Sequence, residues 1–304
     1  MITHFDDLIQ QARHTPRVTV AIAAAADEAA LTAMAEAYQK EIADGILFGH
    51  EDSIRSLYKE LTGEDVPFAI HDLEDDTLAA QAAVASIRNG QTQILLKGKI
   101  KTSALLKAVL DGEKGLRTNR LLSDVFLFET PEHLGKRLMI ITDGGVTLKP
   151  DLKQKIELIE NAVVVAHALG IEMPKIAVLS AVETVHPNLI STQDAAILTK
   201  MNQRGQIKGC LIDGPLALDN ALSETAARTK GIVSPVAGHA DILLCPDIES
   251  ANILAKSTTY FANLRLGHVI MGSAAPVLIP SRADSADSKL LSIALGKLVL
   301  NLSQ

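Results

Sequence analysis

Short apolar runs alternate with segments of helical period along nearly the whole chain, and this rhythm limits the fold more than any other feature. Val18–Ile22 precedes an Ala/Glu-rich helical segment around Glu28–Ile42, and Gly45–Phe48 precedes one near Ser53–Leu61. Phe68–Ile70 is followed by Ala79–Arg88, and Gln93–Leu96 by a helix near Ala104–Leu110. Val125–Phe128 and Leu138–Ile141 read as strands separated by a loop with Pro131 and Gly135. The longest clear helix is Asp151–Leu169, whose Ile156, Ile159, Val163, Ala166 and Leu169 keep the helical period up to Gly170. The pattern resumes with Ile176–Leu179, a helix near Gln193–Asn202, Gly209–Ile212, a helix near Leu218–Ala227, Ile242–Cys245 and a helix near Ser250–Leu264. A parallel strand pair needs a crossover long enough to hold a helix, so this alternation predicts an α/β fold with a mainly parallel sheet.

At 304 residues the chain can form one large or two modest domains, and the loop Thr130–Gly135 is the best place for a first domain to end. Hydrophobic residues at 47% and charged residues at 21% mark an ordered globular protein. A net charge of −7 opposes general nucleic-acid binding, and 3% aromatics with no Trp leave no base-stacking platform. An anionic ligand must be gripped by local basic groups against that field. Cys210 and Cys245 make no CxxC motif and sit in or beside apolar runs, where cysteine behaves as a small buried hydrophobe. The start MITHFDDLIQQARH lacks the basic and apolar regions of a secretory signal, and no run suits a bilayer span. A soluble, reduced, cytoplasmic setting is expected.

Several chemistries have no support. There is no GxxxxGK[ST] phosphate loop, no G-x-G-x-x-G opening a helix, no HExxH or paired-His metal spacing and no GxSxG elbow. The chemistry-bearing feature is Pro276–Leu298. An apolar run, Pro276–Ile279, stops at Pro280; Ser281 and Arg282 follow, then a helix with Leu290, Leu291, Ala294, Leu295 and Leu298 on its apolar side. A hydroxyl and a guanidinium thus stand where a strand ends, the edge at which α/β sheets collect ligands, and arginine can clamp a phosphate or acyl oxygen with its planar fork of donors. The plainer reading of the pair is a helix N-cap serine and a surface arginine.

Four further segments accompany it: Ile100–Phe126 with Arg117 and Arg120 before a strand, Leu138–Asp151 with a strand ending in Asp143, Gly144 and Gly145, Lys175–Pro187, and Ile212–Ser223 running on to Ser234–Phe261. In this order, with Ser281–Arg282 last, they resemble the phosphate acetyl/butyryltransferase family over nearly the whole chain. Gly115–Ser123 (GLRTNRLLS) and Ser281–Ser285 (SRADS) look more like the butyryltransferase branch. The resemblance implies two α/β/α domains with mainly parallel sheets around an inter-domain cleft, an isocitrate/isopropylmalate dehydrogenase-like architecture. It also implies a final helix that returns to the first domain. The expected division is 1–134 plus 280–304 for domain one and 135–279 for domain two. The implied activity is transfer of a short-chain acyl group, butyryl favoured over acetyl, between coenzyme A and inorganic phosphate, with acyl phosphate as the other product. Coenzyme A is then a substrate, with no tightly bound cofactor and no metal, and the expected assembly is a homodimer without nucleic-acid or membrane partners.

Carried onto this chain, Ser281 matches the family serine and would donate to the acyl oxygen or the departing sulfur; Arg282 would bind phosphate and offset developing charge. One donor fixed at such an oxygen is typically worth about 3–4 kcal/mol. In acetyltransferase relatives a carboxylate seven positions after the serine is proposed to take the thiol proton; Ser288 stands there, so Asp287 and Asp284 both remain candidates. Each also suits the positive end of the last helix. Arg117 and Arg120 are phosphate candidates or solvated surface charges. Asp143 and Gly144 either shape the cleft wall or form a simple strand-to-loop turn. Ser234, Pro235 and Gly238, with Asn252 through Lys256, correspond to segments on the coenzyme side, and His239 stands where relatives often carry lysine.

Three rival readings stay open on the sequence. The same chemistry on an acyl carrier protein would show negligible coenzyme A turnover. An isopropylmalate dehydrogenase-like oxidoreductase would need a divalent metal and a nicotinamide. A non-catalytic acyl-coenzyme A-binding relative is opposed by Ser281 and Arg282 and favoured by the displaced carboxylate.

Overall fold

Most strands are short apolar runs buried on both faces, the pattern that parallel strands covered by helices require. In the computed structural model, which describes residues 1–281 and 283–302, the chain starts with α1 (Phe5–Arg13), β1 (Val18–Ala23), α2 (Glu28–Gln39), β2 (Ala43–Gly49) and α3 (Glu51–Thr62). It continues with β3 (Ala69–Asp72), α4 (Asp76–Arg88), β4 (Ile94–Lys97) and α5 (Thr102–Val109). Next come β5 (Ser123–Glu129), β6 (Leu138–Thr142), α6 (Leu152–Ala168), β7 (Lys175–Leu179), α7 (Ile190–Gln203) and β8 (Leu211–Leu216). The last elements are α8 (Leu218–Leu222), α9 (Glu224–Thr229), β9 (Ile242–Leu244), α10 (Ile248–Tyr260), β10 (Leu266–Met271), β11 (Val277–Leu278) and α11 (Ala286–Leu302).

Helix starts carry the side chains that satisfy orphan backbone donors. Asp27 accepts from Ala30 N at α2, Asp75 from Thr77 N and Leu78 N at α4, and Asp247 from Ser250 N at α10. Asp151 and Gln154 form a reciprocal capping box at α6.

The chain divides into two compact units. The first is Asp6–Arg120 with Gly267–Gln304, and the second is Leu121–Leu266 with Met1–Phe5. Strands of the first unit run in the order β3-β2-β1-β4-β11-β10. All neighbours are parallel except β10, which is antiparallel to β11. After β3, an exposed edge strand, the chain returns to the other flank of β1, so strand order reverses between β1 and β4. Helix α11 packs on α2, and its Gly296 lies against Leu278, Pro276 and Ile94. Strands of the second unit run β5-β6-β9-β7-β8, with β5 antiparallel to β6 and the rest parallel. Phe126, Phe128, Met139, Ile141, Leu179 and Leu243 build a core there under Ala251 and Ala255 of α10.

The unit boundaries differ from the expected 134/135 and 279/280. The loop Thr130–Gly135 is the turn of an antiparallel hairpin: Val125 to Glu129 pair with Thr142 to Leu138, which ties β5 to β6 and moves the first boundary to Arg120/Leu121. Strand β11 pairs with β4, and the second boundary therefore falls earlier, at Leu266/Gly267. Met1–Phe5 joins the second unit through Ile2 N to Leu169 O at 2.8 Å and His4 Nδ1 to Glu129 Oε1 at 2.9 Å. Two elements lie outside the expected rhythm. Helix α1 buries Phe5, Leu8 and Ala12. Strand β10 is interrupted in pattern by Gly267 and His268, both buried. The helix expected over Leu218–Ala227 breaks into two at Ser223, whose hydroxyl caps the second.

Candidate active site

Ser281 follows β11 at the carboxyl edge of the first unit's parallel strands and is exposed. A tight turn fixes it. Its N–H donates to Asp284 Oδ2 at 2.7 Å, its carbonyl accepts from Asp284 N at 3.1 Å, and its Oγ accepts from Ala283 N at 3.4 Å. With the oxygen accepting from the backbone, the hydroxyl proton is left to donate to an outside acceptor. Ser281 is not the N-cap of α11. That bond belongs to Ser285, whose Oγ accepts from Ser288 N at 3.2 Å. Asp284 is committed to the Ser281 turn and stands 3.8 Å from His268 Nε2, itself buried in β10. Asp287 is half-buried in the first turn of α11. One turn below the same edge, buried Lys289 donates to Asp27 Oδ1 at 3.1 Å. Arg282 lies outside the described residues.

Arg117 and Arg120 are both exposed on a loop of the first unit. Leu116 O accepts from Ala274 N, and Thr118 Oγ1 donates to Gly272 O and accepts from Arg120 N. Gly272 and Ala274 precede β11 whereas Ser281 follows it, so this loop is anchored at the opposite end of that strand from Ser281.

In the second unit, Asp143 directly follows β6 and is 2% exposed. Its Oδ1 accepts from the N–H groups of Asp124, Gly145 and Val146 at 3.0, 2.9 and 3.1 Å, and its Oδ2 from Thr147 N at 2.8 Å. The carboxylate therefore shapes the loop itself. The glycines are required by space. A Cβ on Gly145 would sit 2.9 Å from Asp124 Cβ, and one on Gly144 would sit 2.9 Å from Phe126 Cε2. Asn252 of α10 braces the same loop by donating to Gly144 O at 2.8 Å. Lys256, one turn further along α10, is exposed.

Burial raises the Asp143 carboxyl from its ordinary 3.8 to about 6, with the neighbouring Asp124 charge adding to the rise and the N–H donors opposing it. At pH values between the two, the folded chain holds more protons here than the unfolded chain, so this group's contribution falls as pH rises through that window. The full change corresponds to about 3 kcal/mol. Asp143→Asn removes the ionisation, and denaturant unfolding across about pH 4 to pH 7 is expected to lose that downward slope relative to the parent chain. An unchanged slope would show that another group carries it.

Ser234, Pro235 and Gly238 are not brought to the Asp143–Asn252 cluster. Ser234 and Pro235 line a separate hollow with Ile207, Cys210 and Leu211 at the amino end of β8. The Ser234 hydroxyl accepts from Val236 N and Ala237 N. Gly238, at φ +80°, lies where a Cβ would be 2.7 Å from Glu224 N. These are loop-building roles, and His239 beside them faces Glu224 at 3.2 Å.

The second unit also holds a cavity of about 850 Å³ that sequence reasoning missed. It opens at the carboxyl ends of β7 and β9 and at the starts of α6, α7 and α10, where Ser180, Ser191, Cys245 and Asp247 line it with an ion pair of Lys155 Nζ and Asp194 Oδ2 at 2.6 Å. The available signal was the run of strands ending in polar residues, at Leu179–Ser180 and Cys245–Asp247. Its lining comes from segments far apart in sequence, which hides it from local patterning. Burial pushes the Cys245 thiol up to about 12 and Cys210 to about 11, so neither is a ready thiolate. Among the described residues no group of three His, Cys, Asp or Glu side chains is arranged to hold a metal, and no helix is long and apolar enough to cross a membrane.

The family model described as phosphate acetyl/butaryl transferase matches residues 73–296, a span that contains every candidate site residue named above. A phosphate butyryltransferase of Clostridium beijerinckii is 44% identical over 299 residues, covering 98% of each chain. A phosphate acetyltransferase of Thermotoga maritima is 44% identical over 290 residues, 95% of this chain and 97% of that one. Among solved structures, a branched-chain phosphotransacylase from Enterococcus faecalis superposes with a TM-score of 0.80 at 33% identity, covering 93% of this chain and 99% of that one.

Proposed function

The chain belongs to the phosphate acetyl/butaryl transferase family, and from that membership we propose that it moves a short-chain acyl group, butyryl in preference to acetyl, between coenzyme A and inorganic phosphate by direct transfer. The observation that carries the reading is the Ser281 turn: an exposed hydroxyl whose oxygen is held by Ala283 N–H and whose backbone is locked by Asp284. A phosphate oxygen attacks the thioester carbonyl carbon, the C–S bond breaks, and the thiolate leaves with the electron pair. Ser281 donates to the carbonyl oxygen as its charge grows. Arg282 holds the phosphate; Arg117 and Arg120, on a loop anchored at the opposite end of β11 from Ser281, have no role at the transferring phosphate. Asp284 positions Ser281, which leaves Asp287 to take the thiol proton in the reverse direction. Asp143 and Gly144, braced by Asn252, form a wall of the coenzyme side, with Lys256 at its rim; Ser234, Pro235 and Gly238 support that side through the fold.

The isocitrate/isopropylmalate dehydrogenase-like pairing of two α/β/α domains about a cleft belongs to the same reading. So does a homodimer, supported by the exposed Ile253, Tyr260 and Phe261 along one side of α10. A reducing cytoplasmic setting is supported by the two free, buried cysteines. The test is thiol release from acetyl-, propionyl-, butyryl- and branched acyl-coenzyme A, with and without phosphate. Phosphate-dependent release, greatest with butyryl-coenzyme A, is expected. No release from any of them with phosphate present would refute the assignment.

A further inference from the structure

The carboxyl ends of β1 and β4, where strand order reverses in the first unit, form a closely laced rim. Ala25 N donates to Phe48 O, Gly98 N to Ala23 O, Lys99 N to Ala24 O and Ile100 N to Gly98 O. Those four backbone donors are used within the rim itself. Gly98 is wedged against the loop after β1, where a Cβ would sit 2.9 Å from Ala23 O. Lys97, the last residue of β4, is 2% exposed, yet its chain turns to the same edge: Nζ donates to Gly98 O at 3.2 Å. Strand β11 runs parallel beside β4 with Leu278 opposite Leu96. Continuing that register by one residue sets Lys97 beside Ile279, two residues before Ser281.

The buried lysines of this unit fall into two places. Lys297 donates to Thr15 O and Ile42 O, which precede β1 and β2 and so lie at the amino edge. Lys97 and Lys289 lie at the carboxyl edge with Ser281, and Lys289 is bound to Asp27. In a chain of net charge −7, a dianion needs fixed local cations. Lysine suits phosphate as a compact point charge at the end of a flexible stem.

We propose that Lys97 is a phosphate-holding residue: its ammonium grips the inorganic phosphate, or the phosphoryl end of the acyl phosphate, at the rim beside Ser281. This rests on the acyltransfer reading above and adds a second cation from β4 to the one assigned at Arg282. The exposed Lys99 and Lys101 on the same loop extend the positive rim outward.

The experiment compares Lys97→Met and Lys97→Arg with the parent enzyme, measuring KM for phosphate and for butyryl-coenzyme A separately and checking the fold by thermal melting. Lys97→Met is expected to raise the phosphate KM at least tenfold and leave the butyryl-coenzyme A KM within twofold, with Lys97→Arg recovering part of the loss. A folded Lys97→Met enzyme with an unchanged phosphate KM, or with both KM values raised alike, overturns the proposal. Should neither variant fold, NMR of the parent enzyme labelled with 15N at the lysine Nζ decides. Phosphate is expected to shift the Lys97 ammonium resonance and to leave that of Lys155 unchanged, and an unmoved Lys97 resonance at saturating phosphate overturns it. If the parent enzyme makes no acyl phosphate, the acyltransfer reading itself has failed, a result seen before any variant is made.

Discussion

Ser281→Ala is expected to lower kcat about 10²- to 10³-fold, the range for losing one donor at a developing oxyanion. The hydroxyl oxygen accepts from the Ala283 N–H, and the turn that carries it is built from the backbone and Asp284. Alanine keeps that backbone, so the melting temperature should hold and both KM values should move little. An interaction made only in the transition state shows this signature. A folded Ser281→Ala enzyme with kcat within about threefold of the parent would remove the hydroxyl from the mechanism. Asp284→Asn is a softer probe of the same turn, since its amide can still accept from Ser281 N through its oxygen.

Gly98→Ala is expected to destabilise the chain by about 3 kcal/mol or more, at the upper end of overpacking penalties. The new methyl group would collide with the Ala24 carbonyl oxygen and lie 2.9 Å from both Ala23 O and Ala24 C. All three are backbone atoms of Ala23 and Ala24 where β1 ends, pinned by the Gly98 and Lys99 hydrogen bonds, so the clash cannot be relieved by a rotamer change. Gly112→Ala is the matched control. Nothing lies within 4 Å of its Cβ position, so it should melt within a few degrees of the parent. Equal melting temperatures for the two variants would mean that the rim yields easily, and with it the premise that this edge is a rigid support for Ser281.

Much of the architecture was legible because parallel strands advertise themselves locally. Ile94–Leu96 and Ile176–Leu179 are continuous apolar runs, and the helices that precede these strands, α4 and α6, start at the capping residues Asp75 and Asp151. Asp143-Gly144-Gly145 was legible as a tight loop, since only glycine fits beside Asp124 and Phe126. What the sequence concealed was non-local. The Thr130–Gly135 loop looks like a linker until β5 is paired with β6. Strand β10 is masked by Gly267 and His268, and Gly267 is small because Leu291 of α11 packs 3.1 Å from its Cβ position. Lys97 lies one residue past the expected strand Gln93–Leu96; its burial follows from β1 and β11 closing on either side of β4. The Lys155–Asp194 cavity joins starts of helices nearly a hundred residues apart, from Asp151 to Asp247, and no local period encodes that meeting.

The central claim is that the acyl group passes from sulfur to a phosphate oxygen in one step, with Ser281 as donor and never as acyl carrier. Isotope exchange between labelled coenzyme A and butyryl-coenzyme A in the strict absence of phosphate tests it most directly. Direct transfer predicts no exchange until phosphate is added, after which label enters the thioester. Exchange without phosphate would reveal an acyl-enzyme and contradict the account.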